Sequence, residues 1–471
     1  MDRIGRTPMQ FTAVLAAILL LLAACQSSAS PTGSPGASAS GEVVEIEWYV
    51  GLGTGENPEQ IPTEEAVVAA FNESHDNIQI ELTVVDNTDA QNTLNTRMPT
   101  DPPDIIGPIG IRALQSFGDQ LLDLAPYIES SGVDLSAIDQ ALIDAYNVDG
   151  KQIGIPMAVY PQFIYYNKSL FDEAGLAYPP HEVGEQYEGQ DWTWDTVRDL
   201  AMLLTVDANG NDATSAAFDP NSIAQWGLDA QFTEIDTRAL STIFGGSGSV
   251  VADDGTTAQW PDNWREGLQF YYDAVWTDHF APTKAEAEAI GGGEDRNTFQ
   301  SGLIAMDAVH QWYVCCIYPA EGDPAVTDWD IAVLPEGPDG TVTSKLHADT
   351  IGILDTTEHP EEAFEVLAYL SQQADLVQVW GAMPAIASQR DAFFAGLDER
   401  FAPLVIDWNV SSQMLGFPDN PSHEAFMPNF EEADSANKDF GALLWTTPGL
   451  DLQAEIDAHV ETLQALFDEG S

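Results

Sequence analysis

Residues 43–50 read VVEIEWYV, residues 63–71 read TEEAVVAAF and residues 78–85 read IQIELTVV. The first and third are runs of β-branched and aromatic residues, and the third alternates apolar with polar positions as a half-buried strand does. The middle run opens on Thr63 as a cap and repeats its apolar residues at helical spacing. A second helix is expected at 92–98, ahead of PDIIGP at 103–108. Strands and helices alternating in this way signal a parallel sheet with loops at the carboxyl ends of its strands, so the fold class is α/β. Gly51, Gly53 and Gly55 follow the first strand. They fall short of a dinucleotide loop, because Glu56 stands where the last glycine belongs and Asn57 and Pro58 delay the helix. More simply, they let the backbone turn and approach a ligand, and Gly53 is a candidate contact.

Outward from this body, the 471 residues carry 76 Asp plus Glu against 15 Lys plus Arg, a formal charge of −61. Binding to nucleic acid or to anionic lipid needs clustered cations that such a chain lacks. With 44% hydrophobic residues, including 12 Trp, 13 Tyr and 20 Phe, it nonetheless buries a large core. Surface carboxylates this numerous repel unless salt or protons screen them, so a saline or acidic external habitat is expected.

At the amino terminus, Arg3 and Arg6 precede an apolar run over 11–24, too short for a stable span and closed by Ala23 and Ala24. This reads as an export signal over 1–24. Leu22, Ala23, Ala24 and Cys25 resemble the lipobox of bacterial lipoproteins, which implies cleavage before Cys25 and a lipid on it, sufficient for anchoring at the cell envelope. Residues 26–41 are Ser, Ala, Gly and Pro with Gln26 and Thr32 and no charge, so 25–42 is expected to be the lipidated Cys and a flexible tether.

Five further stretches stand in fixed order: GKQIGIPMAVYPQFIYYNKSLFDEAGLAYPP (150–180), TWDTVRDLAMLLT (193–205), FQSGLIAMDAVHQW (299–312), DWDIAVLPEGPDG (328–340) and EEAFEVLAYLS (361–371). Together, from about residue 43 to the end, they resemble the family 1 extracellular solute-binding proteins of ABC importers, the group of the oligosaccharide receptors. The resemblance implies a periplasmic-binding-protein-like fold of two α/β lobes joined by crossing segments, with a solute held in the central cleft. Crossings placed by motif give one lobe at 43–159 plus 334–382 and the other at 160–333 plus 383–471. A carbohydrate ligand, ABC permease subunits as partners, a monomer, and no required cofactor are implied with it.

A sugar ring has an apolar C–H face and a rim of hydroxyls, so its receptor stacks aromatics on the face and offers carboxylates and amides to the rim. Trp312 follows AMDAVHQ where maltose-binding relatives place a stacking Trp; an ordinary core aromatic is the rival reading. Tyr160 stands at the first crossing, where those relatives have a carboxylate. In PDIIGPIGIR (103–112), Pro108 and Ile111 replace a Trp and an Asp of the maltose type, which argues against a maltodextrin, while Arg112 persists and either meets the ligand or pairs with the acidic surface. Trp226, Gln231 and Phe232 lie in QWGLDAQF (225–232), a segment that relatives send into the cleft, with core packing an equal account of Trp226. In SKLHADTIGI (344–353), His347 and Asp349 are polar where relatives are glycine-rich, and they either hydrogen-bond the solute or form a surface pair.

Cys315 and Cys316 are adjacent and just past Trp312. A vicinal disulfide forming an apolar platform near the sugar, two buried thiols, and an intermolecular bond are the alternatives. Asp207, Asn209 and Asn211 alternate as at the start of a calcium loop, but the glycine is misplaced and no Glu closes the loop at position twelve; a turn is the favoured reading over a structural Ca²⁺ site. Neither HExxH nor GxSxG is present, and close carboxylates arise by chance in so acidic a chain, so a non-enzymatic receptor is expected over a hydrolase. A lipid-anchored sensory or adhesion receptor of the same fold is the alternative to an importer component.

Overall fold

Among the described residues the β-rich runs become thirteen strands. In chain order they are β1 (Val44–Val50), β2 (Ile78–Val84), β3 (Ile105–Gly110), β4 (Asn147–Val148), β5 (Lys151–Gln152), β6 (Ile155–Tyr160), β7 (Gln162–Asn167), β8 (Val206–Asp207), β9 (Ile223–Ala230), β10 (Ile304–His310), β11 (Trp329–Ala332), β12 (His347–Ile353) and β13 (Met383–Pro384). This computed structural model describes residues 43–110, 114, 116–138, 140–144, 146–148, 150–230, 237–291, 298–315, 317, 326–419 and 427–470. The expected export signal at 1–24, Cys25 and the tether to residue 42 lie outside the described residues.

The first of two large sheets has the order β13-β6-β12-β3-β1-β2 and the second β11-β7-β10-β9-β8, while β4 and β5 pair as a separate two-stranded ribbon. In the first, β1 runs parallel to both β2 and β3, the pairing that the strand-helix-strand text requires, with Trp48 opposite Leu82 and Ile105. β12 returns antiparallel between β3 and β6. In the second, β7 is antiparallel to β10 and β11, and β10 is parallel to β9. The architecture is thus mixed α/β in two lobes, each a sheet covered by helices.

The helices start where their end groups are satisfied, and this shifts two boundaries. α1 (Ile61–Ser74) begins ahead of the expected Thr63, because Pro62 suits the first turn, where its missing N–H costs nothing. α2 (Asn87–Arg97) begins well before residue 92: Asp86 caps it, accepting from Thr88 N at 3.0 Å. Thr193 caps the helix Trp194–Leu204 by accepting from Thr196 N at 3.4 Å.

Chain crossings between the sheets follow from the strand membership. β6 ends at Tyr160 and β7 starts at Gln162, so Pro161 alone lies between them; the second crossing runs from Ala332 to His347. Two strand ends lie beyond the expected boundaries at 159/160 and 382/383: Tyr160 still belongs to β6, and β13 follows residue 382. Met383 and Pro384 form β13, paired with Val159 and Ala158 of β6, so the first sheet keeps the chain through residue 384. The physical reason is that Met383 is buried at the sheet edge, where it also receives the Ser411 hydroxyl at 3.9 Å from its sulfur.

The Asp207 loop is a turn. The Asp207 carboxylate accepts from the backbone N–H of Asn209, Asn211 and Asp219 and from the Asn211 side-chain amide. These donors lower its pKa, the Asn211 side chain foremost. No cluster of three or more His, Cys, Asp or Glu suited to a metal occurs among the described residues.

Gly227 in β9 shows how closely helix and sheet approach. A Cβ there would stand 2.1 Å from the Ala201 carbonyl oxygen in the covering helix. Gly227→Ala therefore forces helix and strand apart. Denaturant unfolding is expected to show a loss of about 1–3 kcal/mol, and an unchanged midpoint would mean that the two can separate freely.

Candidate ligand-binding cleft

A cavity of about 570 Å³ opens where the crossings meet the carboxyl ends of β1, β3 and β6. Its wall comprises Leu52, Gly53, Thr54, Glu56, Asn57 and Gln60 after β1, Asn87 and Gln91 on α2, Gly110 on β3, Tyr160 on β6, Trp312, His347 and Asp349 on β12, and Trp380. This is the crevice outside the carboxyl ends of strands where open α/β sheets hold ligands.

The aromatic floor is one packed cluster contributed by both sheets. Trp312 lies in the single-turn segment Gln311–Cys315 after β10, stacked on His310 with centroids 4.0 Å apart and planes 13° from parallel. Tyr160 meets Trp312 edge-on at 5.2 Å, and His347 does so at 5.2 Å. The β-register explains the grouping, since His347 lies directly opposite Tyr160 across β12 and β6. Two residues along, Asp349 lies opposite Gly110 on the other side, and the Tyr160 hydroxyl donates to Asp349 Oδ2 at 3.3 Å. Burial pushes the Tyr160 phenol well up, and the Asp349 carboxylate adds to this, so Tyr160 remains a neutral donor.

The glycines after β1 serve backbone approach. Gly51 and Gly55 take φ of +132° and +110°, while Gly53 brings its backbone so near β3 that a Cβ would lie 2.8 Å from the Pro108 carbonyl oxygen. The loop is held by Gln60, whose Oε1 accepts from Gly55 N and Asn57 N, and by Asn87, which donates to the carbonyls of Gly51 and Gly53. At the mouth, Gln91 Nε2 and Ser116 Oγ both donate to Glu431 Oε1, at 3.1 and 2.5 Å. Glu431 is in the first turn of the helix Phe430–Thr446, which packs on the second lobe's helices, so this contact joins the lobes.

Of the residues expected from sequence, the structure brings Gly53, Tyr160, Trp312, His347 and Asp349 to this one cavity. Trp226 is elsewhere: it is buried in β9 opposite Ile304, because the inward face of that strand needs a large apolar group. Arg112, Gln231, Phe232 and Cys316 lie outside the described residues, as does the side chain of Cys315, so the Cys pair gains no geometry here. Sequence reasoning missed Glu56, Gln60, Trp380, Asn87 and Gln91. The last two were legible in principle, since a helix capped at Asp86 puts positions 87 and 91 one turn apart on one face.

The pattern of the bacterial extracellular solute-binding proteins matches residues 56–376. The chain belongs to that family. As a solute-binding protein it is similar to a binding protein of Brucella abortus, 24% identical over 276 residues that cover 55% of this chain and 60% of the relative. The chain thus spans about 60% of that relative's length. Among solved structures it is similar to an ABC substrate-binding protein from Listeria monocytogenes in complex with cycloalternan, at 18% identity and a TM-score of 0.68, covering 91% of this chain and 99% of that one. The sugar-binding protein MalE of Xanthomonas citri gives a TM-score of 0.68 at 17% identity, with 90% and 98% covered. These likenesses establish the two-lobe fold of this solute-binding protein.

The crossings of the solute-binding protein are pinned to one another. Ser344 Oγ accepts from Gln162 N at 2.9 Å and donates to Gln162 O at 3.1 Å, while Gln311 N donates to Pro161 O at 2.9 Å. Gln162 and Ser344 are buried. Ser344→Ala leaves a buried N–H without that acceptor, and a loss of about 1–3 kcal/mol in unfolding free energy is expected; a loss near zero would show that these crossings move apart without cost.

Proposed function

We propose that this chain captures a carbohydrate, with an oligosaccharide favoured, in the cleft between its lobes and delivers it unaltered to an ABC-type import permease. The observation that carries the reading is the cluster of Tyr160, Trp312 and His347 beside Asp349 in one open cavity. Aromatic faces for the C–H side of a sugar, next to carboxylate and amide groups for its hydroxyls, are the two halves of saccharide recognition. The cycloalternan complex of the Listeria protein and the sugar-binding protein of Xanthomonas support the same class of ligand.

Binding of this kind uses lobe closure and no covalent step, and the solute favours the closed form only to the extent that it contacts both lobes. Trp312 follows β10 of the second sheet and Tyr160 ends β6 of the first, so one ring laid against both would gain from closure. The acidic composition favours a neutral or cationic solute over an anionic one. The reading includes export and a lipid on Cys25, with the body held outside the cytoplasm as a monomer by the tether. No helix among the described residues is long and apolar enough to cross a membrane.

A thermal-shift screen of mono- and oligosaccharides, polyols and amino acids tests the proposal. A saccharide should raise the melting temperature, Trp312→Ala should abolish that rise, and Trp226→Ala should lower the starting temperature while leaving the rise in place. A rise given by amino acids alone would overturn the carbohydrate class, a rise indifferent to Trp312→Ala would place the site elsewhere, and sustained conversion of a saccharide to product would overturn the receptor reading.

A further inference from the structure

The cleft wall is built over a carboxyl group that solute recognition leaves unexplained. Glu64, in the first turn of α1, has 0% exposure. Its Oε1 accepts from Trp380 Nε1 at 2.9 Å, and its buried Oε2 has no hydrogen-bond partner among the described residues. Trp380 and Glu56 both line the cavity. Between them Gly55 lies directly on the buried carboxyl, where a Cβ would stand 2.7 Å from Glu64 Oε1. The cleft loop, Trp380 and Glu64 therefore form one packed unit, with Gln60 holding the loop on top through Gly55 N, Asn57 N and Thr54 Oγ1.

An ionised carboxylate is poorly served in this position: it is out of water, has one donor, and has a second carboxyl as neighbour. Burial pushes the Glu64 carboxyl up to about 7, the Trp380 hydrogen bond opposing this and the Glu56 charge adding to it. Among the described residues the charged group that acts on Glu64 is Glu56, and no cation offsets it. The cleft loop contributes Glu56; the helix Ala374–Val379 and Trp380 contribute the indole, with Asp375 exposed at the helix start; Glu65 on α1 is exposed. On the adjoining strands Glu45 and Glu81 are exposed, and Glu47 is bound to Arg97 and Thr83.

We propose that Glu64 is a positioning residue for the solute site: its neutral form seats Trp380 and the 52–60 loop, and its ionisation loosens that wall. This rests on the solute-binding reading above and gives it a regulation. With Glu64 neutral, Glu56 is the one charged carboxylate of this Glu56–Glu64 pair, and it lies at the cleft surface, where it can accept from a solute hydroxyl. Relative to the unfolded chain, the stabilisation is complete below the ordinary carboxyl value of 4.5 and is lost as the pH rises through about 7. The cleft wall is accordingly tighter on the acid side of neutrality.

The test uses the full chain without solute. Infrared difference titration should show a protonated-carboxyl band disappearing with a midpoint near 7 and missing from Glu64→Gln. Amide hydrogen exchange over 52–60, corrected for its intrinsic base catalysis, should rise about tenfold between about pH 6 and about pH 8, as the ionised fraction of such a group does. Glu64→Gln, which keeps an acceptor for Trp380 and carries no charge, should stay at the low exchange rate throughout. A wild-type profile parallel to that of Glu64→Gln, or no band titrating near neutrality, would overturn the proposal. Should Glu64→Gln fail to fold, Trp380→Phe removes the donor and should move the infrared midpoint higher, and an unmoved midpoint would count against it. None of these readings needs a solute, so their failure is distinct from failure of the saccharide screen.

Discussion

The structure depends on the chain passing from one sheet to the other with Pro161 as the only residue between β6 and β7. Proline fixes its own φ and offers no N–H, so the link is short and conformationally restricted. Because β6 lies inside the first sheet and β7 inside the second, each anchored on both sides by antiparallel neighbours, the two lobes are joined at their interiors. The cavity is the space this junction leaves at the ends of the strands. Ser344 and Gln311 hold adjacent chain segments to the same link, and the floor residues Tyr160 and Trp312 are the chain neighbours of Pro161 and Gln311.

That coincidence bears on recognition. Tyr160 is the last residue of β6, and Trp312 follows β10, the strand paired with β7. The Tyr160–Trp312 contact thus joins the two sheets at the floor, and the contact of Glu431 with Gln91 and Ser116 joins the lobes a second time. A solute laid against both rings would contact both lobes, which is the differential contact a population shift requires.

The charge distribution runs the same way at two scales. The chain as a whole carries −61, and the described residues lining the cavity include Glu56 and Asp349 but no Lys or Arg. Carboxylates in a partly closed space are acceptors without donors of their own, which suits a ligand rich in hydroxyl protons. The cost of crowding them is limited by neutral donors within the protein, Tyr160 toward Asp349 and Trp380 toward Glu64. Aromatic residues here supply both stacking surface and the polar hydrogens that keep buried acids in place.

Much of this was legible before folding was considered. The runs at 43–50 and 78–85 dictated parallel strands because their residue types and alternation suit a sheet and the intervening run suits a helix, and the same local logic found Gly53 after the first strand. The ordered stretches from 150 onward contain Tyr160 and Trp312 and led to the neighbouring His347 and Asp349, all four of which line the one cavity. Local text failed at Trp226, where an apolar ring suits a core strand and a cleft equally, and at residue 383, where two residues too few to show any periodicity complete a sheet edge. It also could not reveal Glu64 beneath Trp380, since residues 316 positions apart meet only through the packing of α1 on the helix before Trp380. Sequence alone determined the elements, because those follow from periods of two and near four along the chain. Tertiary structure decided which side chains share the cavity and which acid is sealed from water, because burial and neighbouring charge are properties of what surrounds a residue in space.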